Sequence, residues 1–153
     1  MKRVPALTIF AVLTAAVITL TVAQTPNTGW YTANREADVF YISTADELAG
    51  LAGIVNGTWG GEPESYNFRD KAITLTGNID LSAYDNWVPI GYYIDDPDKS
   101  IDNYVFSGMF DGSEYVIKNL TINRSDATYQ GLFGHILEYG GVKNRLYSYS
   151  SGK

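Results

Sequence analysis

Cysteine is absent from this 153-residue chain. No disulfide can cross-link it, so the fold must rest on apolar burial and backbone pairing. Histidine occurs once, at His135. A lone imidazole with no cysteine in the chain and no placed serine assembles no acyl-transfer triad, and the zinc-peptidase pattern His-Glu-x-x-His does not occur. His135, next to Ile136 in a strand-like piece, reads as a packed or rim residue. Basic side chains are also scarce: 11 Lys and Arg stand against 17 Asp and Glu, a formal net charge of −6. Nucleic acid is thereby excluded as a partner, because phosphate has to be met by clustered cations.

What is present begins with an apolar run. Met1-Lys2-Arg3 is followed by an uncharged stretch from Val4 to Val22, and Thr21-Val22-Ala23 places small residues before Gln24. Residues 1–23 read as a secretory signal peptide cut after Ala23. The alternative is an uncleaved anchor, since a membrane-spanning helix needs about 20 apolar residues. Either address is extracellular: secreted or cell surface if the segment is cleaved, membrane-anchored if it is not. Residues 24–38 are polar around Trp30 and Tyr31 and read as a leader or linker. What remains fits one modest domain, 39–149, with a polar tail at 150–153.

Within that domain, Val39-Phe40-Tyr41-Ile42 is β-prone. Thr44 and Glu47 then form a capping box that opens a helix over 44–56. Leu48, Leu51, Ala52 and Val55 recur at helical spacing, and Asn56-Gly57 stops the run. So short a helix has to dock, and the open N-terminal end of a repeating β structure is the place that needs a cover. Ile73 and Leu75 alternate with threonines, and Ile79 and Leu81 alternate around Asp80, as strands with one buried face do. Phe106 and Phe110 are core candidates, with a tight turn at Asp111-Gly112 that uses positive φ at Gly112. Val116, Leu120 and Ile122 are expected to continue the buried ladder, and Phe133 lies in the Gly131-Leu132-Phe133-Gly134 step. Ile117-Lys118-Asn119 matches Val142-Lys143-Asn144 at an offset of 25 residues. That match predicts successive coils of a solenoid, with Asn119 stacked on Asn144. Short strands between glycine turns are otherwise compatible with a small sandwich.

The series Thr44-Ala45-Asp46-Glu47-Leu48, Ile73-Thr74-Leu75, Asn78-Ile79-Asp80-Leu81, Trp87-Val88-Pro89-Ile90-Gly91, Phe106-Ser107-Gly108-Met109-Phe110-Asp111-Gly112, Ile117-Lys118-Asn119-Leu120-Thr121-Ile122 and Gly131-Leu132-Phe133-Gly134 resembles the N-terminal part of GLUG-motif repeat proteins. These are large secreted or surface, adhesin-like proteins of bacteria and archaea. The resemblance covers roughly residues 39–147. It implies an all-β fold, a short right-handed parallel β-helix (solenoid) with one N-terminal capping α-helix. It also implies a binding or scaffold role outside the cell. The chain departs from the family pattern in having one GLFG-like step and in Arg145, which interrupts the last repeat.

The function so read is a non-enzymatic module for adhesion or envelope structure, with no catalytic residue nominated. A carbohydrate-active enzyme or polysaccharide-binding fragment is the alternative. Its carboxylates would be Asp70, Asp80 and Asp85, but glycoside hydrolysis requires two at a fixed separation. A third reading is a truncated piece of a larger GLUG-repeat protein with no independent role. Trp30 and Trp59 are candidate sugar-stacking residues, with carbohydrate or another cell-surface protein as partner. Asp95, Asp96, Asp98 and Asp102 are candidate Ca²⁺ ligands in a polar excursion, because calcium prefers clustered oxygens. No other cofactor is implied. Three N-glycosylation patterns, at Asn56, Asn119 and Asn123, read as coincidental. The last strand is expected to leave an open edge, through which the chain frays or self-associates.

Overall fold

The computed structural model describes residues 24–61, 63–93, 104–125, 127–137 and 140–143. Two helices, α1 (Gly29–Thr32) and α2 (Ala45–Val55), accompany six short strands: β1 (Val39–Ile42), β2 (Ala72–Leu75), β3 (Ile79–Asp80), β4 (Met109–Asp111), β5 (Ile117–Lys118) and β6 (Gly141–Lys143). The strands form a four-stranded sheet in the order β1-β2-β4-β6 and a two-stranded sheet of β3 and β5. Every pair is parallel. Parallel neighbours need a long crossover, so each strand is reached only after the chain has travelled away and returned. Two further parallel bridges, Ile90 to Phe133 and Phe106 to Ile136, tie the intervening segments together.

The register aligns side chains into columns. Phe40, Ile73 and Phe110 lie in line and are buried, while Tyr41, Thr74, Asp111 and Lys143 form the outward column beside them. On the second sheet Ile79 pairs with Ile117 and Asp80 with Lys118. A strand alternates its faces, so once Ile117 turns inward its neighbours turn outward, and Val116 is accordingly 57% exposed. Leu120, beyond the end of β5, is 41% exposed; both differ from the expectation that they belong to the buried ladder. Asn119 lies between Ile117 and Leu120 at a φ of 59°.

The Lys-Asn match at a 25-residue offset is also resolved differently. Ile117 pairs with Ile79 in one sheet, but Val142 pairs with Phe110 in the other, so the two steps do not stack. What they share is a charge rung. Lys118 bonds Asp80 at 3.1 Å and Lys143 bonds Asp111 at 2.9 Å, each across one strand pairing. Lys71 meets Asp38 at 3.0 Å just before the β1–β2 register begins. In all three the aspartate belongs to the earlier pass, on its strand or directly before it. Such surface pairs contribute about 0–1 kcal/mol each, so their consequence is a choice of register more than stability. Asn119 turns its side-chain amide onto Asp80, 2.8 Å away, and Asn144 lies outside the described residues.

Helix α2 starts as its capping box dictates. Thr44 Oγ1 accepts from the Glu47 amide at 3.2 Å, and Glu47 Oε2 accepts from the Thr44 and Ser43 amides at 3.1 and 2.8 Å. Asp46 and Glu47 add negative charge where the helix dipole favours it. Leu48, Leu51, Ile54 and Val55 are fully buried, each contributing roughly 1.5–3 kcal/mol of transfer free energy. Ala49 and Gly50 are buried as well, so the helix is covered on more than one side. The cover is the segment expected to be a leader. Asn27 donates its amide to the Asp46 carbonyl at 2.8 Å, and a Cβ at Gly50 would collide with the Asn27 carbonyl. Residues 24–38 are therefore part of the domain, and Tyr31 of α1 belongs to its core.

The core is strongly aromatic at this end. Phe68 is fully buried at φ 58°, a left-handed conformation unfavourable for a bulky side chain. Its ring lies 5.0–5.9 Å from those of Trp30, Tyr31, Phe40 and Tyr66. Ring pairs add about 0.5–1.5 kcal/mol each, enough together to offset a backbone cost of about 1–3 kcal/mol. Phe106 and Phe110 continue the core, and half-buried Phe133 closes on both at 5.2 Å. Gly112 is buried, but the left-handed residues of its turn are Ser113 and Glu114, with Ser113 bonded to Asp111 Oδ1 at 3.0 Å. The turn is thus built by an aspartate side chain, not by positive φ at the glycine.

Candidate functional site

The C-terminal end of α2 is fastened to the next pass of chain by one side chain. Asn56 is buried; its amide NH₂ donates to the Pro89 carbonyl at 2.9 Å, and its oxygen accepts from the Gly91 amide at 2.8 Å. On one side of this lock lies a cleft of about 450 Å³ between the outer face of α2, Trp59 and the Tyr84–Val88 segment. On the other side lies a second cleft of about 450 Å³ between Thr58, the Pro89–Tyr93 segment and Arg124 to Tyr129. Asn56, Thr58 and Val88 border both, so the two form one trough.

Each wall has a local cause. Trp59 is held by bonds from its indole N–H to the Pro63 and Glu64 carbonyls, both 3.0 Å. Its ring meets Tyr31 edge-on at 5.7 Å, with the Arg35 guanidinium 5.5 Å above it. Tyr84 donates its hydroxyl to Asp46 Oδ1 at 2.7 Å; burial, reinforced by that carboxylate, pushes the phenol well above its ordinary pKa. Gly91 sits at φ 79° with the His135 carbonyl 2.5 Å from where a Cβ would stand, so only glycine fits this corner. Tyr92 follows, its amide bonded to the Tyr104 carbonyl and its ring 5.5 Å from that of Tyr104. Burial, then the neighbouring Tyr104, raises the Tyr92 pKa. The opposite wall is a loop closed by the Gln130 amide, which donates to the Arg124 and Ala127 carbonyls at 2.7 and 2.6 Å.

Three rings cluster at the far end. Tyr93, Tyr129 and His135 lie 5.8–6.4 Å apart. Tyr93 is 44% and Tyr129 52% exposed, and Val88 between the clefts is 51% exposed. Tyr129 also holds φ 57°. Phe68 adopts the same strained backbone, fully buried and with five ring contacts; Tyr129 does so at the surface with two. The described lining of the trough contains no carboxylate, imidazole or thiol and one charged side chain, Arg124.

Of the residues nominated from the sequence, Trp59 lines this trough and Trp30 does not. Trp30 is half-buried, stacked on Phe68 at 5.9 Å with its indole N–H on the Glu47 carbonyl, so its ring faces are taken up by the core. Asp80 is a rung residue. The Asn119 amide, then the Ser82 amide and Lys118, hold its carboxyl well below the usual carboxylate range. Asp70 sits in a left-handed turn position and Asp85 offers its backbone carbonyl to Asn123. Asp95, Asp96, Asp98 and Asp102 lie outside the described residues, as do residues 1–23, 138–139 and 144–153. Among the described residues no group of three or more His, Cys, Asp or Glu could hold a metal ion. Asn56, Tyr92, Tyr93, Arg124 and Tyr129 were not nominated. The available signal was the abundance of tyrosine, 12 residues, with two adjacent at 92–93.

No protein-family profile and no solved structure matches the chain. Two curated relatives do. One, of Evansella cellulosilytica, carries the assigned name Gly-rich membrane protein and is 38% identical over 86 residues, 53% of this chain and 8% of the relative. The other is the halomucin of Haloquadratum walsbyi, 33% identical over 119 residues, 76% of this chain and 1% of the relative. The chain thus spans a small fraction of either protein, and the names point to the membrane or cell surface. No helix among the described residues is long and apolar enough to cross a membrane.

Proposed function

We propose that the chain is a non-enzymatic module of a secreted or cell-surface protein, a short right-handed parallel β-helix of the GLUG-repeat kind capped at its N-terminal end by α1 and α2. The observation that carries this reading is the column Phe40, Ile73, Phe110, in which parallel strands return to the same lateral position on successive passes. Sandwiches are built from antiparallel sheets, and parallel crossovers are right-handed in nearly all proteins, so the pairing supports both choices. The bonds from α2 and its C-cap to the chain beyond β3, Asp46 with Tyr84 and Asn56 with Pro89 and Gly91, support its role as a cover. The names of the two relatives, with the apolar segment before residue 24, support a surface location. A trough of aromatic and amide groups supports binding over hydrolysis, which needs paired carboxylates.

Expression of the full chain in a bacterial host, followed by fractionation, protease shaving of intact cells and N-terminal sequencing, tests the location. The expected product is outside the cytoplasm and begins at Gln24. A product beginning at Met1 in the membrane replaces cleavage by anchoring, and cytoplasmic retention sinks the surface reading.

A further inference from the structure

We infer that the trough between α2 and the Arg124–Gln130 loop binds a carboxylate-bearing oligosaccharide. The inference rests on the extracellular reading only for access to such a ligand. Single exposed aromatics are ordinary on protein surfaces. Here Tyr92, Tyr93 and Tyr129 converge on one concavity with exposed Val88, and Tyr129 does so at φ 57°, its ring contacts among the described residues being to Tyr93 and His135, neither of them buried. Strain and apolar exposure held together at a cleft are what a ligand contact accounts for.

The chemistry narrows the occupant. Tyrosine rings offer flat, electron-rich faces to the C–H faces of a pyranose and hydroxyl tips to its oxygens. Asn56 is buried and engaged with Pro89 and Gly91, so polar contacts fall mainly to the threonines, Asn86 and the tyrosine hydroxyls of the lining. A purely apolar ligand would desolvate these groups without return. Each cleft has the volume of a small-molecule site, about 300–1,000 Å³, and the two adjoin, which suits a chain of rings better than one. The sign of the ligand follows from Arg124. In a chain of net charge −6 it is the only charged side chain among the described lining residues, it is exposed, and it makes no salt bridge with another described residue. A guanidinium is a planar fork that matches a carboxylate with two parallel hydrogen bonds, which a neutral sugar cannot return. One cation is too few for a nucleic acid.

The test is calorimetric titration of the purified protein with oligogalacturonate, a neutral oligosaccharide of equal length, and poly-γ-glutamate, a carboxylate polymer without sugar rings. At about 0.15 M salt the long-range repulsion between acidic partners is screened beyond about 8 Å. The uronate oligomer should bind at least about tenfold more tightly than the neutral one, and poly-γ-glutamate should not compete. Arg124→Gln should bring the ratio of the two sugars to about one, and Tyr129→Ala should weaken both by about tenfold or more. Tyr41→Ala, on the outer face of the four-stranded sheet, should change neither. Should a groove variant fail to fold, NMR titration of the unaltered protein serves instead, with shifts expected at Tyr93, Arg124 and Tyr129. Three results overturn the inference: no uronate binding at about 5 mM ligand, shifts confined to other faces, or equal binding of poly-γ-glutamate, which would assign the trough to an acidic peptide. Correct surface location without sugar binding removes this inference alone, and binding by a protein retained in the cytoplasm removes only the location.

Discussion

Replacement of Asn56 should unfasten α2 from the pass of chain beneath it. Its side chain makes two bonds, at 2.9 Å to the Pro89 carbonyl and 2.8 Å from the Gly91 amide, and all three residues are buried. An intramolecular hydrogen bond contributes only about 0.5–1.5 kcal/mol net, but stranding its buried partner costs about 1–3 kcal/mol. Asn56→Ala strands a donor and an acceptor. Both clefts border Asn56, so water can enter and recover part of that loss. The expected destabilisation is about 2–4 kcal/mol, a large share of the roughly 5–15 kcal/mol by which domains are stable. With a urea slope of about 1–3 kcal/mol per molar, the midpoint should fall by about 1–2 M, read from the fluorescence of the buried Trp87. Asn56→Asp gives a sharper check. It keeps an acceptor for Gly91 but turns a carboxylate toward the Pro89 carbonyl, and burial raises the pKa of such a carboxyl. At pH 7 it should be at least as damaging as Asn56→Ala; as pH falls and the acid regains a proton to donate, its deficit relative to the unaltered protein should shrink. A midpoint shift below about 0.3 M for the alanine variant, or a pH-independent deficit for the aspartate variant, would refute the lock.

Two further perturbations address the corner and the rungs. Gly91→Ala places a methyl 2.5 Å from the His135 carbonyl at a left-handed φ, so it should destabilise by about 1–3 kcal/mol or more in the same denaturation assay; an unchanged midpoint would mean that the corner relaxes freely. Asp80 and Asp111 are both held below their ordinary pKa, Asp80 mainly by the Asn119 amide and Asp111 mainly by Lys143. Their contribution is therefore complete above the unfolded value of 3.8 and is lost as pH falls through the lower folded values. The melting temperature should hold between pH 7 and about 5 and drop below about pH 4, less steeply in the double variant Asp80→Asn, Asp111→Asn; identical acid slopes would show that the rungs do not couple to folding.

Sequence by itself determined what a few adjacent residues can decide. The Thr44–Glu47 box, the inward alternation of Ile73 and Leu75, and the core positions of Phe106 and Phe110 were legible because caps and strand faces depend on spacing within one turn or one strand. Tertiary structure decided what depends on pairings tens of residues apart. Repeated Lys-Asn text suggested one stack, but the two steps pair in different sheets, Val142 with Phe110 and Ile117 with Ile79, and each sets its lysine opposite an aspartate of the preceding strand in its sheet. The inward turn of Ile117 on β5 then set its neighbours Val116 and Lys118 outward, and Leu120 follows beyond the left-handed Asn119, outside the strand. Residues 24–38 look like a leader or linker when read alone; the missing Cβ of Gly50 lets Asn27 and Thr28 lie against α2. Left-handed backbone at Phe68 and Tyr129 leaves no local signature, because aromatic residues carry no preference for it, and only the surroundings reveal that one is compensated by buried rings and the other is not. The trough arises where α2, the Pro89–Tyr93 segment and the Arg124–Gln130 loop meet, so its walls become one site only when the chain has returned alongside itself.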